Sequence, residues 1–134
     1  MTYTLQKRFA AVFLLSVITF LCLGCGDGGY KHITHEDAQR IMKANPEAII
    51  LDVRTPEEYH KKHIPGAVLL PIEDIRGGKL SKLPDKDATI LIYCWTGRRA
   101  EDAAEYLIKR GYKKIYEFGG LIDWPGPVEG EDVK

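Results

Sequence analysis

The sequence predicts an α/β fold: a mainly parallel five-stranded sheet with helices on both faces. Short aliphatic and β-branched runs, among them Ala48-Ile-Ile-Leu-Asp52 and Ile90-Leu-Ile-Tyr93, alternate along the chain with helix-like stretches. These runs are apolar at successive positions, as suits strands covered on both sides. Helix caps and turn residues fall between them at close intervals, as strand–helix–strand units require.

Taken in order, Tyr30-Lys-His-Ile33 supplies the first strand. Thr34 is a good N-cap, and Glu36 and Asp37 put acids in the first turn, where the helix dipole favours them. Ala38, Ile41 and Met42 make one apolar face before Asn45-Pro46 ends the helix. Ala48 to Asp52 is the second strand. Thr55-Pro-Glu-Glu58 combines an N-cap, a proline at the first helical position and a glutamate three residues on, a capping box that opens a short helix from Pro56 to about Lys62.

Ile64-Pro-Gly66 turns into a third strand, Ala67 to Leu70, and Pro71 to Ile75 forms another short helix that Gly77-Gly78 breaks. Pro84 to Asp87 is a surface turn. The fourth strand, Ile90 to Tyr93, runs directly into Cys94. After the loop Cys94-Trp-Thr-Gly-Arg-Arg99, residues Ala100, Ala103, Ala104, Leu107 and Ile108 form a helical stripe that Gly111 closes. Lys114 to Phe118 is the fifth strand, followed by Gly119-Gly120, a segment carrying Trp124, and Pro125-Gly-Pro127.

The 134 residues are enough for one domain, and the first part of the chain does not belong to it. Lys7 and Arg8 precede an apolar run, Phe9 to Leu23, which is short for a spanning helix of about 20 residues. A basic start, an apolar stretch of this length and small residues at its end describe a secretory signal. Leu21-Cys22-Leu23-Gly24-Cys25 resembles a bacterial lipobox, with Cys22 where such sequences usually carry leucine. That resemblance implies lipidation of Cys25, a membrane attachment through the lipid, and a periplasmic or cell-surface position. Ordinary cleavage near Gly24 and an uncleaved anchor are the alternatives; each places the domain outside the cytoplasm. The expected organisation is a signal peptide over 1–24, a flexible tether over 25–29, the domain over 30–127 and an acidic, frayed tail over 128–134.

The chain carries nineteen basic and nineteen acidic side chains. Without Lys7 and Arg8 it stays close to neutral, and no basic stripe points to nucleic acid. If, of the three cysteines, Cys22 leaves with the signal and Cys25 takes the lipid, Cys94 is the one thiol left in the mature protein. A leftover thiol in an exported domain is a candidate reactive group. His32-x-x-His35 and His60-x-x-His63 have a spacing seen in metal pairs, but no cysteine is free to complete a site, and no metal is expected.

Cys94 stands at the carboxyl end of a strand and just before a helix, a place where open α/β sheets bind ligands and where a thiol is most easily held as its thiolate. A loop curling from strand to helix turns several N–H groups toward one point, and such nests bind anions. Gly97 can take a positive φ there. Arg98 and Arg99 at a helix start oppose the helix dipole, which makes sense with an anion beside them. Thiol, nest and guanidinium groups together predict a nucleophile acting on an anionic substrate.

The spacing Cys94-x-x-Gly97-x-Arg99 resembles the active-site loop of rhodanese-like sulfurtransferases. Leu51-Asp-Val-Arg54 with Pro56-Glu-Glu-Tyr59 and His63-Ile-Pro-Gly-Ala67 is similar to a second signature of that family, and Gly119-Gly120 with Trp124 to its closing segment. The likeness spans about Tyr30 to Pro127. It implies a single rhodanese-like domain and a cofactor-free reaction through a persulfide on Cys94. Thiosulfate or another small anion would give the sulfur, and cyanide or a thiol would accept it. The persulfide would be held by the loop N–H groups of Trp95, Thr96, Gly97, Arg98 and Arg99. Arg99 would fix the loop or bind the anion, Arg98 would face outward and attract donors, and Asp52 and Arg54 would orient loop or substrate from the same rim, a structural ion pair or cap being the alternative for these two. Trp95 is expected near the mouth, narrowing the pocket or meeting a partner.

Two other readings have a place. One is a persulfide carrier or partner-binding module without turnover. The other is a cysteine phosphatase, whose loops usually hold one more residue between cysteine and arginine and a serine or threonine after the arginine. Here four residues, Trp95 to Arg98, intervene and Ala100 follows, so the loop suits a single sulfur atom better than a phosphate.

Overall fold

Five strands, Lys31–His32 (β1), Ile49–Asp52 (β2), Val68–Leu69 (β3), Thr89–Cys94 (β4) and Lys114–Gly120 (β5), form one sheet in the order β1-β5-β4-β2-β3. Every pairing in it is parallel. The computed structural model describes residues 28–133. The signal segment, Cys22, the Cys25 lipidation position and the start of the tether lie outside the described residues.

Four helices connect the strands: His35–Ala44 (α1), Pro56–Lys61 (α2), Ile72–Arg76 (α3) and Arg98–Lys109 (α4), with a 3₁₀ turn at Leu121–Asp123. The first two begin where their caps require. The Thr34 hydroxyl accepts the Asp37 N–H at 3.1 Å, and Thr55 and Glu58 complete the reciprocal capping box.

Alternation along the central strand divides the interior into two cores. Ile90, Ile92 and Cys94 face one side, where they pack with Ile72 and Ile75 of α3 and with Ala100, Ala103, Ala104 and Leu107 of α4. Leu91 and Tyr93 face the other, with Ala38 of α1, Ile64, Ala67 and Phe118. Helices thus cover both faces, and β4 is buried from Ile90 to Cys94. This explains its unbroken apolar run, and it makes Cys94 the last residue of a fixed strand.

The β4–β5 ladder shifts register where the two strands end. Ile92 lies opposite Glu117 and Cys94 opposite Gly120, so β5 spends one extra residue there. Such a bulge re-aims the chain, and Gly119, at φ +88°, carries part of the bend.

The tail is where the structure departs from expectation. Its acidic composition suggested a frayed end, yet Glu129 exchanges both backbone hydrogen bonds with His63, at 2.7 and 2.8 Å. Beyond it, the Glu131 and Asp132 N–H groups donate to the carbonyls of His60 and Lys61 at 3.0 and 2.9 Å. The end of α2 leaves those carbonyls without helical partners, and the tail satisfies them. Sequence patterning registers side chains, and this strap is held by backbone.

Candidate active site

Burial fixes β4 and delivers Cys94 to the sheet's carboxyl edge, where the chain must turn at once into α4. Gly97 is the N-cap of that helix at φ +107°, a conformation a side chain would strain. This turn points the Gly97 N–H at the Cys94 sulfur, 3.0 Å away. The thiol therefore receives a backbone donor and faces the positive end of the α4 dipole, the arrangement that stabilises sulfur as an anion. Cys94 itself is buried, with 1% of its surface exposed. It is the one free cysteine among the described residues.

The loop's shape depends on the chain that runs beneath it. A Cβ at Gly120 would lie 2.0 Å from the Trp95 carbonyl oxygen, so no other residue fits there without moving the loop. The same carbonyl accepts the Ile122 N–H at 3.1 Å. Under Gly97 lies Glu117, fully buried on β5. One of its oxygens accepts the Gly119 N–H at 2.5 Å, and the other lies 2.5 Å from Nδ1 of His32. Glu117 thus fixes the bulge that supports the loop. Nothing in the sequence around it, an acid in an otherwise ordinary strand, announces this.

Arg99 turns to Glu58 of α2 and donates two hydrogen bonds to its carboxylate, both 2.8 Å. Hydrogen bonds from Arg99 come first among the causes that hold the Glu58 carboxyl down at about 2, ahead of those from Thr55. Hydrogen bonding to Glu58, with the Glu58 charge, also raises Arg99. Arg99 therefore secures the loop to α2. The capping box announced Glu58 as a helix cap; its second role, across 41 residues of chain, had no signal.

A Glu58→Gln substitution is expected to cost about 1–2 kcal/mol in urea unfolding, because a two-pronged charged contact is lost at a half-exposed site. Since folding lowers this carboxyl, its contribution is complete above the unfolded value of roughly 4.3 and disappears as pH falls toward 2. The gap between wild type and Glu58→Gln should therefore be constant from pH 6 to 8 and close in that acid range.

Asp52 and Arg54, which the sequence left between orienting the loop or substrate from the rim and forming a structural ion pair, form a buried pair. They are 0% and 2% exposed and share three side-chain hydrogen bonds of 2.7–3.2 Å. Arg54 also donates to the Lys62 carbonyl at 2.6 Å. Tyr93 completes the unit: its hydroxyl donates to Asp52 at 2.7 Å and accepts the Ile64 N–H at 3.1 Å. Burial, then the Asp52 charge, pushes the Tyr93 hydroxyl up. Burial alone would lower Arg54, but its bonds to Asp52 outweigh that and raise it. The network ties the ends of β2 and β4 to the chain after α2.

Arg98 and Thr96 are exposed, and Trp95 is 37% exposed. A cavity of about 390 Å³ opens beside it, lined by Arg54, Glu58, Lys61, Lys62, Trp95 and Asp132. The histidines of the two short-spaced pairs are engaged separately. His35 meets Phe118 and Trp124 edge-on, and His63 stacks on Tyr59. No group of three or more potential metal ligands occurs among the described residues.

Residues 34–125 match the family model described as "Rhodanese-like domain". Thiosulfate sulfurtransferase PspE of Escherichia coli strain K12 is 37% identical over 73 residues, 54% of this chain and 70% of that protein. Thiosulfate sulfurtransferase GlpE of Coxiella burnetii is 31% identical over 96 residues, 71% of this chain and 87% of that one. Among solved structures, the rhodanese-like domain of an Anabaena protein superposes with a TM-score of 0.67 at 29% identity, covering 75% of this chain and 80% of its own.

Proposed function

This chain belongs to the rhodanese-like domain family, and we propose that it is a sulfurtransferase carrying sulfane sulfur as a persulfide on Cys94. The observation that carries this reading is the Gly97 N–H directed at the Cys94 sulfur, 3.0 Å away, at the N-terminus of a twelve-residue helix. A donor placed there stabilises negative charge on sulfur, both in the attacking thiolate and in the persulfide that follows.

In the first half-reaction the Cys94 thiolate attacks the outer sulfur of thiosulfate. The S–S bond of the donor breaks, and sulfite leaves with its electron pair. In the second, cyanide or a thiolate attacks the outer sulfur of the persulfide and Cys94 departs as thiolate. No cofactor enters either step. The loop N–H groups of Trp95 to Arg99 hold the anion, Arg99 keeps the loop on α2, and exposed Arg98 draws anionic donors to the mouth. Asp52 and Arg54 act as the rigid support of that rim. Two half-reactions through one covalent intermediate require ping-pong kinetics. Initial rates of thiocyanate formation at varied thiosulfate and cyanide should give parallel double-reciprocal lines; brisk hydrolysis of an aryl phosphate with no thiocyanate would support the phosphatase alternative.

The domain's location is part of the proposal. Export on the signal over 1–24 and lipidation of Cys25 would hold it at the periplasmic or outer side of a bacterial membrane. Growth of the expressing cells with a radioactive fatty acid should label the protein, and Cys25→Ala should lose the label. A label that persists in Cys25→Ala would remove the anchor from the account.

A further inference from the structure

Three charged groups on the wall of the 390 Å³ cavity are already matched: Arg54 by Asp52, Glu58 by Arg99 and Lys61 by Glu57. Two are not. Lys62 holds its ammonium 5.3 Å from the centre of the Trp95 ring, and Asp132 lines the same cavity. Among the described residues neither makes an ion pair, and they do not reach each other. Asp132 is placed there by structure. Its own N–H bonds to the Lys61 carbonyl, and Gly130 packs so tightly on that carbonyl that a Cβ would come within 2.5 Å. The cavity falls in the range of ligand sites, roughly 300–1,000 Å³, and is larger than a small oxoanion needs.

One cation and one anion without an ion pair, lining a single cavity and not reaching each other, outline a ligand that carries both charges. We propose that this mouth is the acceptor subsite and selects zwitterionic thiols, with carboxylate toward Lys62 and ammonium toward Asp132. Free cysteine has this chemistry, as do short peptides containing it. The inference rests on the Cys94 persulfide reading and adds the class of acceptor. In the step concerned, the acceptor thiolate attacks the outer sulfur, the Cys94 S–S bond breaks, Cys94 leaves as thiolate and the acceptor departs as its persulfide.

In a ping-pong scheme kcat/KM for the acceptor reports the second half-reaction alone, so the selectivity between two acceptors isolates this subsite. The ratio of kcat/KM for L-cysteine to that for 2-mercaptoethanol, which lacks both charges, should fall about fivefold in Lys62→Gln and in Asp132→Asn, the size expected of a charged hydrogen bond at an exposed site. Asp132→Glu should keep most of it. 3-Mercaptopropionate, with a carboxylate and no ammonium, should respond to Lys62→Gln and not to Asp132→Asn. The native ratio should also shrink between low and high salt. An unchanged ratio in both variants overturns the proposal. A binding measurement stands apart from activity: S-methylcysteine should shift the Trp95 indole resonance of the native protein, and the shift should weaken in both variants. Absence of that shift also overturns the subsite. Failure of thiosulfate to load Cys94 would instead remove the persulfide reading, with the S-methylcysteine titration still deciding whether the subsite exists.

Discussion

Asp52→Ala is expected to destabilise the domain by about 3–5 kcal/mol, the largest stability effect of any single change considered. The substitution leaves the Arg54 guanidinium, 2% exposed, without its counter-charge and strips the Tyr93 hydroxyl of its acceptor. Breaking a buried pair costs more than the pair contributes, because one charge stays behind in a site it cannot leave. Total stability of a domain this size is of order 5–15 kcal/mol, so the variant should unfold at least about 12 °C below wild type. Thermal and urea unfolding followed by circular dichroism would measure this. Removing both partners, as Asp52→Leu with Arg54→Met, should recover a good part of the loss. If Asp52→Ala falls within about 1 kcal/mol of wild type, the network does not act as a rigid support.

The second large effect is on turnover. Cys94→Ser should lower thiocyanate formation by at least about a thousandfold, the order of loss that follows removal of a nucleophile. Its stability should stay within about 1 kcal/mol of wild type, since a hydroxyl can accept the Gly97 N–H in place of sulfur. The pairing of these two results matters. A dead variant that is fully folded places the loss in chemistry, whereas comparable activity in Cys94→Ser would move the nucleophile elsewhere.

Much of the fold was legible because its signals are local. The Thr34 and Thr55 caps, the breakers and the buried run of β4 each declare an element within a few residues. The strand–loop–helix setting of Cys94 and the exposed positions of Trp95 and Arg98 were legible for the same reason. What escaped depends on partners far apart in the chain. Arg99 meets Glu58 across 41 residues, and Tyr93 meets Asp52 across the same span. For Asp52 and Arg54 the sequence left a rim role and a structural ion pair both open, and their partners Tyr93 and the Lys62 carbonyl lie in other parts of the chain. The strap over α2 escaped for another reason: its acidic side chains suggested solvent, and its backbone bonds leave no mark on composition.

These missed contacts share a consequence. Glu58, Glu117, Asp52 and the Trp95 carbonyl with Gly120 all restrain the loop or the strand ends that bear it. Under the proposed function, a developing sulfur anion needs its donors already in place, and these restraints hold the loop whose Gly97 N–H faces Cys94.

The most direct test is the mass of the intact protein after brief incubation with thiosulfate and removal of excess reagent. The expected result is a gain of one sulfur atom, located to Cys94 by peptide mapping, reversed by cyanide and absent from Cys94→Ser. An unchanged mass in folded wild-type protein, or a gain that maps away from Cys94, would contradict it.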